Sequence, residues 1–281
     1  MVRAHAGGLE HAQTLVERVT AACAEVDGVD PIDEAARMAL AHRGLDGHAL
    51  WLTEDGFALL RGRDLDVAVA PEARGHGAGR ALVGAALGDA PARVTAWSHV
   101  DHPAAARLAE AFGFEATRAL WVMSRGAGPV DVPAVEGITI RGYRDTDADE
   151  VVRVNAEAFA HHPEQGSMDA ADLAERMAEA WFDPAGLLVA DVGPPRHGLL
   201  AFHWTKQHSP ELGEVYVVAV DPAAQGRGLG RAVTAAGLAH LASRGVRRII
   251  LYVESDNEAA IATYSKLGFA HTHTHVQYAR A

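Results

Sequence analysis

Apolar and polar positions change period along this chain, and each change marks an element. Val215-Tyr216-Val217-Val218-Ala219-Val220 is a run of β-branched and aromatic residues, which predicts a strand. From Arg231 to Ala242 the apolar residues fall at helical spacing among strong helix formers, and Arg248-Ile249-Ile250-Leu251-Tyr252-Val253 predicts the next strand. Ser255-Asp256-Asn257 then offers caps for a helix that begins near Glu258 and stops at Gly268. Strand, glycine loop, helix, strand, helix and strand in that order imply an α/β domain, of the α+β kind, built on a mixed sheet.

The same order occurs twice. Val67-Ala68-Val69-Ala70-Pro71, Arg74-Gly75-His76-Gly77-Ala78-Gly79-Arg80 matches Val218-Ala219-Val220-Asp221-Pro222, Gln225-Gly226-Arg227-Gly228-Leu229-Gly230-Arg231. The segment Ala104 to Phe114, ending Phe-Gly-Phe, matches Ala259 to Phe269, ending Leu-Gly-Phe. Two blocks repeated in order over so long a distance mean two copies of one domain, not a solenoid of short repeats. Glycines and prolines between Gly126 and Gly137 break regular structure. The expected division is therefore an N-terminal domain over 1–126, a linker over 127–137 and a C-terminal domain over 138–281.

Composition narrows the function classes. The 281 residues are 49% hydrophobic and 22% charged, enough apolar material for two ordinary cores. A formal charge of −12 opposes attraction to nucleic acid or to an anionic membrane surface, so neither is an expected partner. No apolar run is long enough to span a bilayer, and Met1-Val2-Arg3-Ala4-His5 lacks the apolar core of a signal peptide, so a cytoplasmic chain is expected. The single cysteine, Cys23, excludes an intrachain disulfide framework and a cysteine-clustered zinc site, and its alanine-rich helical setting reads as core. Only Lys206 and Lys266 among the 25 basic residues are lysines.

The glycine loop carries the first chemistry. In Gln225 to Gly230, closely spaced glycines let backbone N–H groups converge, and the helix that follows presents the positive end of its dipole. That is a cradle for an anion such as a pyrophosphate. The spacing is neither the dinucleotide G-x-G-x-x-G nor a Walker loop, which needs Lys and Ser/Thr after its last glycine.

With the whole pattern Val-Asp-Pro-x-x-Gln-x-x-Gly-x-Gly and the Leu-Gly-Phe helix end, the chain resembles the GNAT acetyltransferase superfamily, in tandem. The resemblance implies two tandem GNAT-like domains and acetyl-CoA as cosubstrate, with no metal. It implies that Gln225, Gly226, Arg227, Gly228, Leu229, Gly230 and Arg231 hold the pyrophosphate. Further cofactor contacts would come from Asn257, Glu258, Ala259, Ala260, Ile261 and Ala262. Backbone groups of Val218, Ala219 and Val220 would polarise the thioester carbonyl, and Val67, Ala68 and Val69 are their counterparts in the first copy. A narrower likeness in Phe159 to Gly166, Gly213 to Pro222 and Leu251 to Asn257 points to one tandem branch. It implies acetyl transfer to the cysteinyl amine of a cysteinyl-glucosaminyl-inositol by direct attack in a ternary complex.

Aminolysis of a thioester requires a base for the ammonium proton, a donor for the carbonyl oxygen and an acid for the departing thiolate. Glu214, just before the cofactor strand, suits the base. Backbone N–H groups at Val218 to Val220 suit the second. Tyr264 matches the family tyrosine that protonates the CoA sulfur, and a phenol is protonated at neutral pH. Glu34, Glu164, Lys206, Glu214 and Tyr252 match acceptor-binding positions of that branch. The acceptor also carries a thiol, so the site must place its amine rather than its sulfur beside the thioester.

The repeat is an internal control. Arg63 stands where the second copy has Glu214, Ala109 where it has Tyr264, and His102 where it has Asn257. The first copy is thus expected to be non-catalytic while keeping a loop that admits a pyrophosphate. His271, His273 and His275 alternate and would share one strand face, but without an acid or cysteine to complete a metal site. Adjacent His161 and His162 would point apart, and no G-x-S-x-G elbow is present. The alternatives are a GNAT enzyme acting on another amine or a protein N-terminus, and a noncatalytic acyl-CoA sensor. A monomer is expected.

Overall fold

The structure, a computed structural model, describes residues 2–4, 9–44, 47–160, 165–193 and 198–281. They divide into two compact units, Met1–Trp121 with His273–Ala281, and Val122–Thr272. In chain order the elements are β1 (Val2–Ala4), α1 (Leu9–Asp27), α2 (Glu34–Arg43), β2 (His48–Leu52), β3 (Gly56–Arg61), β4 (Asp64–Val69), α3 (Ala78–Asp89), β5 (Val94–Ser98), α4 (Pro103–Phe112) and β6 (Glu115–Gly126). There follow β7 (Thr139–Gly142), α5 (Ala148–Ala158), α6 (Ala170–Met177), β8 (Leu187–Asp191), β9 (Leu199–Gln207), β10 (Leu212–Val220), α7 (Leu229–Ser243), β11 (Arg248–Glu254), α8 (Glu258–Lys266) and β12 (Ala270–Arg280). No helix among the described residues is long and apolar enough to cross a membrane.

The second unit orders its strands β7-β8-β9-β10-β11, antiparallel as far as β10 and parallel between β10 and β11. Both faces are covered, because the strands place apolar side chains on alternate sides. One face buries Phe202 and Trp204 of β9 and Val217 and Ala219 of β10 against Val151, Val154 and Leu173 of α5 and α6. The other packs Ala201, Val218 and Val220 against Leu229 and Val233 of α7. The first unit repeats the scheme with β1-β2-β3-β4-β5 and the end of β12. There α1 covers Leu50, Phe57, Leu59 and Ala68, while Leu82 and Ala86 of α3 cover Trp51, Ala58, Leu60 and Leu65. Cys23 is buried in α1.

Two of the predicted boundaries move. The strand expected from Val215 begins at Leu212, because Leu212 and Gly213 already pair with Arg248 and Ile249 of β11. Gly213 permits this, since a Cβ there would lie 2.9 Å from Leu241 Cδ2 of α7. The helix expected from Arg231 begins at Leu229.

Behind the site the packing is tight. His203, fully buried in β9, directs Nδ1 at the Val233 carbonyl 3.0 Å away, and desolvation lowers its pKa to about 4, so the ring is neutral and Nδ1–H donates. Its ring lies against Gly237 of α7, where a Cβ would fall 2.1 Å from Nδ1. An alanine in mid-helix normally gains about 0.5–1 kcal/mol over glycine. Here the clash with a ring that has no room to move dominates, and Gly237→Ala is expected to destabilise the protein by roughly 1–3 kcal/mol in urea unfolding. A stabilised Gly237→Ala protein would contradict this packing.

Candidate active site

The site is built where two parallel strands part. Pairing between β10 and β11 runs only from Leu212↔Arg248 to Val215↔Leu251, although β10 continues to Val220 and β11 to Glu254. On its other side β10 stays paired with β9, but Val215 faces Thr205 and Val217 faces Trp204, so Tyr216 is an inserted residue. A bulge of this kind bends the strand and raises its twist. The β11-facing edge of residues 216–220 is left without a ladder partner from β11. Val218, Ala219 and Val220 lie along that edge, still paired with His203, Phe202 and Ala201 of β9.

The glycine loop closes the end of this opening. Asp221 ends the strand, and its carboxylate accepts from Ala223 N–H (2.8 Å) and from Arg153 of α5 (2.9 Å). This fixes the short 3-10 turn Pro222–Ala224 from which Gln225 departs. Gly226 and Gly228 adopt φ of +79° and +81°, conformations strained for any side-chain-bearing residue. Gly228 is the N-cap of α7 and supplies no side-chain cap, so the first N–H groups of that helix remain available to an anion. A Cβ at Gly230 would touch Val220 Cγ2 at 3.4 Å, so the helix sits close on the strand. Gln225, Gly226, Arg227 and Arg231 are exposed.

Beyond β11, Asn257 caps α8, its Oδ1 accepting from Ala260 N–H at 3.1 Å. Glu258, Ala259, Ala260, Ile261 and Ala262 form the opening turns of that helix. Tyr264, on the same helix, packs edge-to-face on Phe269 at 5.9 Å between centroids. Desolvation pushes its phenol up to about 12, so it stays a proton donor far above neutral pH. In the first unit His102 does the work of Asn257: its Nδ1 accepts from Ala104 N–H at 3.2 Å and caps α4.

Glu214 is not the residue before the strand but the third residue within β10, and it is only 6% exposed. Lys206 stands directly across from it on β9 and is 8% exposed. The Lys206 ammonium lies 4.7 Å from the Trp181 ring and 5.1 Å from the Tyr216 ring, a cation–π setting that holds the charge in an otherwise apolar wall. Tyr216, two residues on from Glu214, shares its strand face and lies beside Trp204 at 5.6 Å. Glu214 Oε2 lies 2.5 Å from Nε2 of His208, which the chain reading had not singled out. No period along the chain marks that contact: His208 follows the last residue of β9, and the turn at Ser209-Pro210 brings Glu214 back to it. Tyr252 is on β11 and 41% exposed. Glu34 opens α2 in the first unit. Glu164, with His161 and His162, lies outside the described residues.

The first unit has its own cleft. A cavity of about 350 Å³ is lined by Val67, Ala68 and Val69, the loop from Arg74 to Arg80, Cys23, Asp27 and His102. Strands β4 and β5 pair only at Asp64↔Thr95, so they too diverge. Arg74, standing where the second unit has Gln225, is fully engaged. Its fork donates to Asp27 at 2.8 and 2.6 Å and its Nε donates to the Val69 carbonyl at 3.0 Å. The paired guanidinium holds Asp27 below the usual carboxylate range. His273 and His275 stack on β12, 5.5 Å apart, and His271 is exposed. Among the described residues no cluster of ligating side chains could hold a metal ion.

A splayed parallel pair, a bulged strand beside it and a glycine loop running into a helix N-terminus together define an acyl-CoA-type transferase fold. The model of the acetyltransferase (GNAT) family matches residues 13–114 and again 153–269, and the chain belongs to that family of acetyl-CoA-dependent N-acetyltransferases. A Nocardioides protein named mycothiol acetyltransferase is 52% identical over 294 aligned positions, covering 96% of this chain and 99% of that protein. A protein of the same name from Rhodococcus jostii is 45% identical, covering 95% and 93%. Among solved structures, a GCN5-related N-acetyltransferase from Sphaerobacter thermophilus superposes with a TM-score of 0.70 at 25% identity, covering 95% of this chain and 91% of that one. A tandem GNAT protein from the clavulanic acid biosynthesis pathway gives 0.70 at 18% identity, covering 95% and 94%.

Tyr264→Phe removes one hydroxyl from a packed ring and separates turnover from binding. Steady-state kinetics are expected to show kcat lower by about 10²-fold or more, with acetyl-CoA affinity within about twofold. In the wild-type chain the raised phenol predicts no alkaline loss of activity from Tyr264 below about pH 11. An unchanged kcat would remove Tyr264 from the chemistry.

Proposed function

We propose that this chain is a mycothiol acetyltransferase, transferring acetyl from acetyl-CoA to the cysteinyl amine of a cysteinyl-glucosaminyl-inositol. The observation that carries the reading is the buried pair Glu214 and Lys206 on adjoining strands, directly beside the unpaired edge of β10. The names of the relatives at 52% and 45% identity over nearly the whole chain support the same acceptor. On this reading the chain works in the cytoplasm as a monomer, with a small-molecule amine as its partner.

In this reading Gly226 to Arg231 and the start of α7 hold the pyrophosphate, and the first turns of α8 flank the CoA chain. An α-amine has a reference pKa of about 7.7–8.0 and arrives largely as ammonium, so Glu214 takes its proton. Lys206 and Tyr252 hold the hydroxyl-rich acceptor, and Glu164 contributes a carboxylate to it. Backbone N–H groups along Val218 to Val220 donate to the carbonyl oxygen as charge builds. Tyr264 gives its proton to the departing sulfur. Positioning of the amine, rather than intrinsic nucleophilicity, decides against the acceptor's own thiol. The first unit carries Arg63 and Ala109 in place of base and acid, and its cleft, with Val67 to Val69, binds acetyl-CoA without turning it over.

The test is mass spectrometry of cysteinyl-glucosaminyl-inositol incubated with acetyl-CoA and the protein, with the des-cysteinyl amine as control. One acetyl gained by the cysteinyl compound alone, and stable to mild hydroxylamine as an amide is, is the expected outcome. No gain in a protein that binds acetyl-CoA would move the reading to another amine or to an acyl-CoA sensor.

A further inference from the structure

Transfer from a thioester to an ammonium releases a proton. The nitrogen loses two protons in becoming an amide, the departing sulfur takes one, and the other must reach solvent in every turnover. If Glu214 is the base, it holds that second proton while only 6% exposed. A buried carboxylic acid that cannot empty itself would stop the site after one cycle.

We infer that His208 is the proton outlet of this site. Its Nε2 lies 2.5 Å from Glu214 Oε2, and its side chain is 33% exposed against 8% for Glu214, so the imidazole bridges the buried carboxylate and bulk water. His208 sits just past the end of β9, its own N–H donating to the Leu212 carbonyl at 2.9 Å, which fixes it over the hairpin that carries Glu214. Imidazole has one nitrogen to take a proton and a second from which to release one. Glu214 takes a proton from the ammonium and passes it to His208 Nε2. His208, whose neutral ring carries its proton on Nδ1 beforehand, becomes imidazolium and gives that Nδ1 proton to water; exchange with water then returns the Nε2–H ring to its Nδ1–H form, and both groups are restored. The other charged or titratable groups on these strands are His203 and Lys206 of β9, Tyr216 of β10, and Arg248, Tyr252 and Glu254 of β11, with Glu211 at the turn. The inference rests on the reading of Glu214 as the base, and it makes His208 a residue that acts through Glu214 rather than on the substrate.

The test uses the full chain with two substitutions. His208→Gln keeps a polar amide toward Glu214 but cannot be protonated at working pH, and His208→Ala removes the contact altogether. Both are expected to lower kcat by at least about tenfold with KM for either substrate within about twofold, and added imidazole is expected to restore His208→Ala but not Glu214→Gln. A His208→Gln protein with wild-type kcat, or a His208→Ala loss that imidazole does not relieve, overturns the inference. If the wild-type chain leaves the cysteinyl compound unchanged, the acceptor assignment fails separately, and the outlet is read from the imidazole itself. In ¹⁵N-histidine-labelled protein, Glu214→Gln is expected to move the Nε2 resonance of His208, and an indifferent His208 overturns the inference whatever the acceptor.

Discussion

Everything in the second unit follows from the point after Val215 where β10 and β11 stop pairing. Parallel strands that remained in register would bury every N–H and C=O between them in the ladder, leaving no place for a ligand. The extra residue Tyr216 bends β10 away while β9 keeps its other edge satisfied, so the strand is held firmly on one side and open on the other. Tyr216 shares the face that carries Lys206 and Glu214, and the insertion brings Val217 and Ala219 onto that face after it. One backbone irregularity therefore both leaves the edge of β10 open and adds apolar residues to the wall beside Lys206.

The two units show what this arrangement keeps when chemistry is removed. The first retains diverging strands, two left-handed glycines in its loop and a capped helix beyond the second strand. It lacks a carboxylate at Arg63 and a phenol at Ala109, and it ties Arg74 to Asp27. The shared features are those of the loop, the strands and the helix cap.

Much of this was legible in the sequence, because the signals were local. Glycines with positive φ, the Asp-Pro turn, the Asn257 cap and the β-branched strand each have a short-range physical cause that residue type reveals. What depended on pairing was harder to see. The start of β10 at Leu212 is set by β11 and by Leu241 of α7, so Glu214 read as a strand-edge residue when it is a buried one. The Trp181 wall over Lys206 and the contact of His208 with Glu214 join residues across a turn and a loop, and no period along the chain marks them. The exchange of β12's last residues into the first unit is of the same kind, a tertiary choice among strands that each look alike.

The central claim is that the unpaired edge of β10, not the first unit's cleft, holds the reacting thioester. A crystal structure of the full chain with acetyl-CoA tests it directly. The account predicts acetyl-CoA in the second unit, its pyrophosphate on Gly226 to Arg231 and its acetyl oxygen about 3 Å from a backbone N–H of Val218 to Val220. Acetyl-CoA bound in the first unit alone, or with its acetyl group remote from Glu214 and Tyr264, would contradict it.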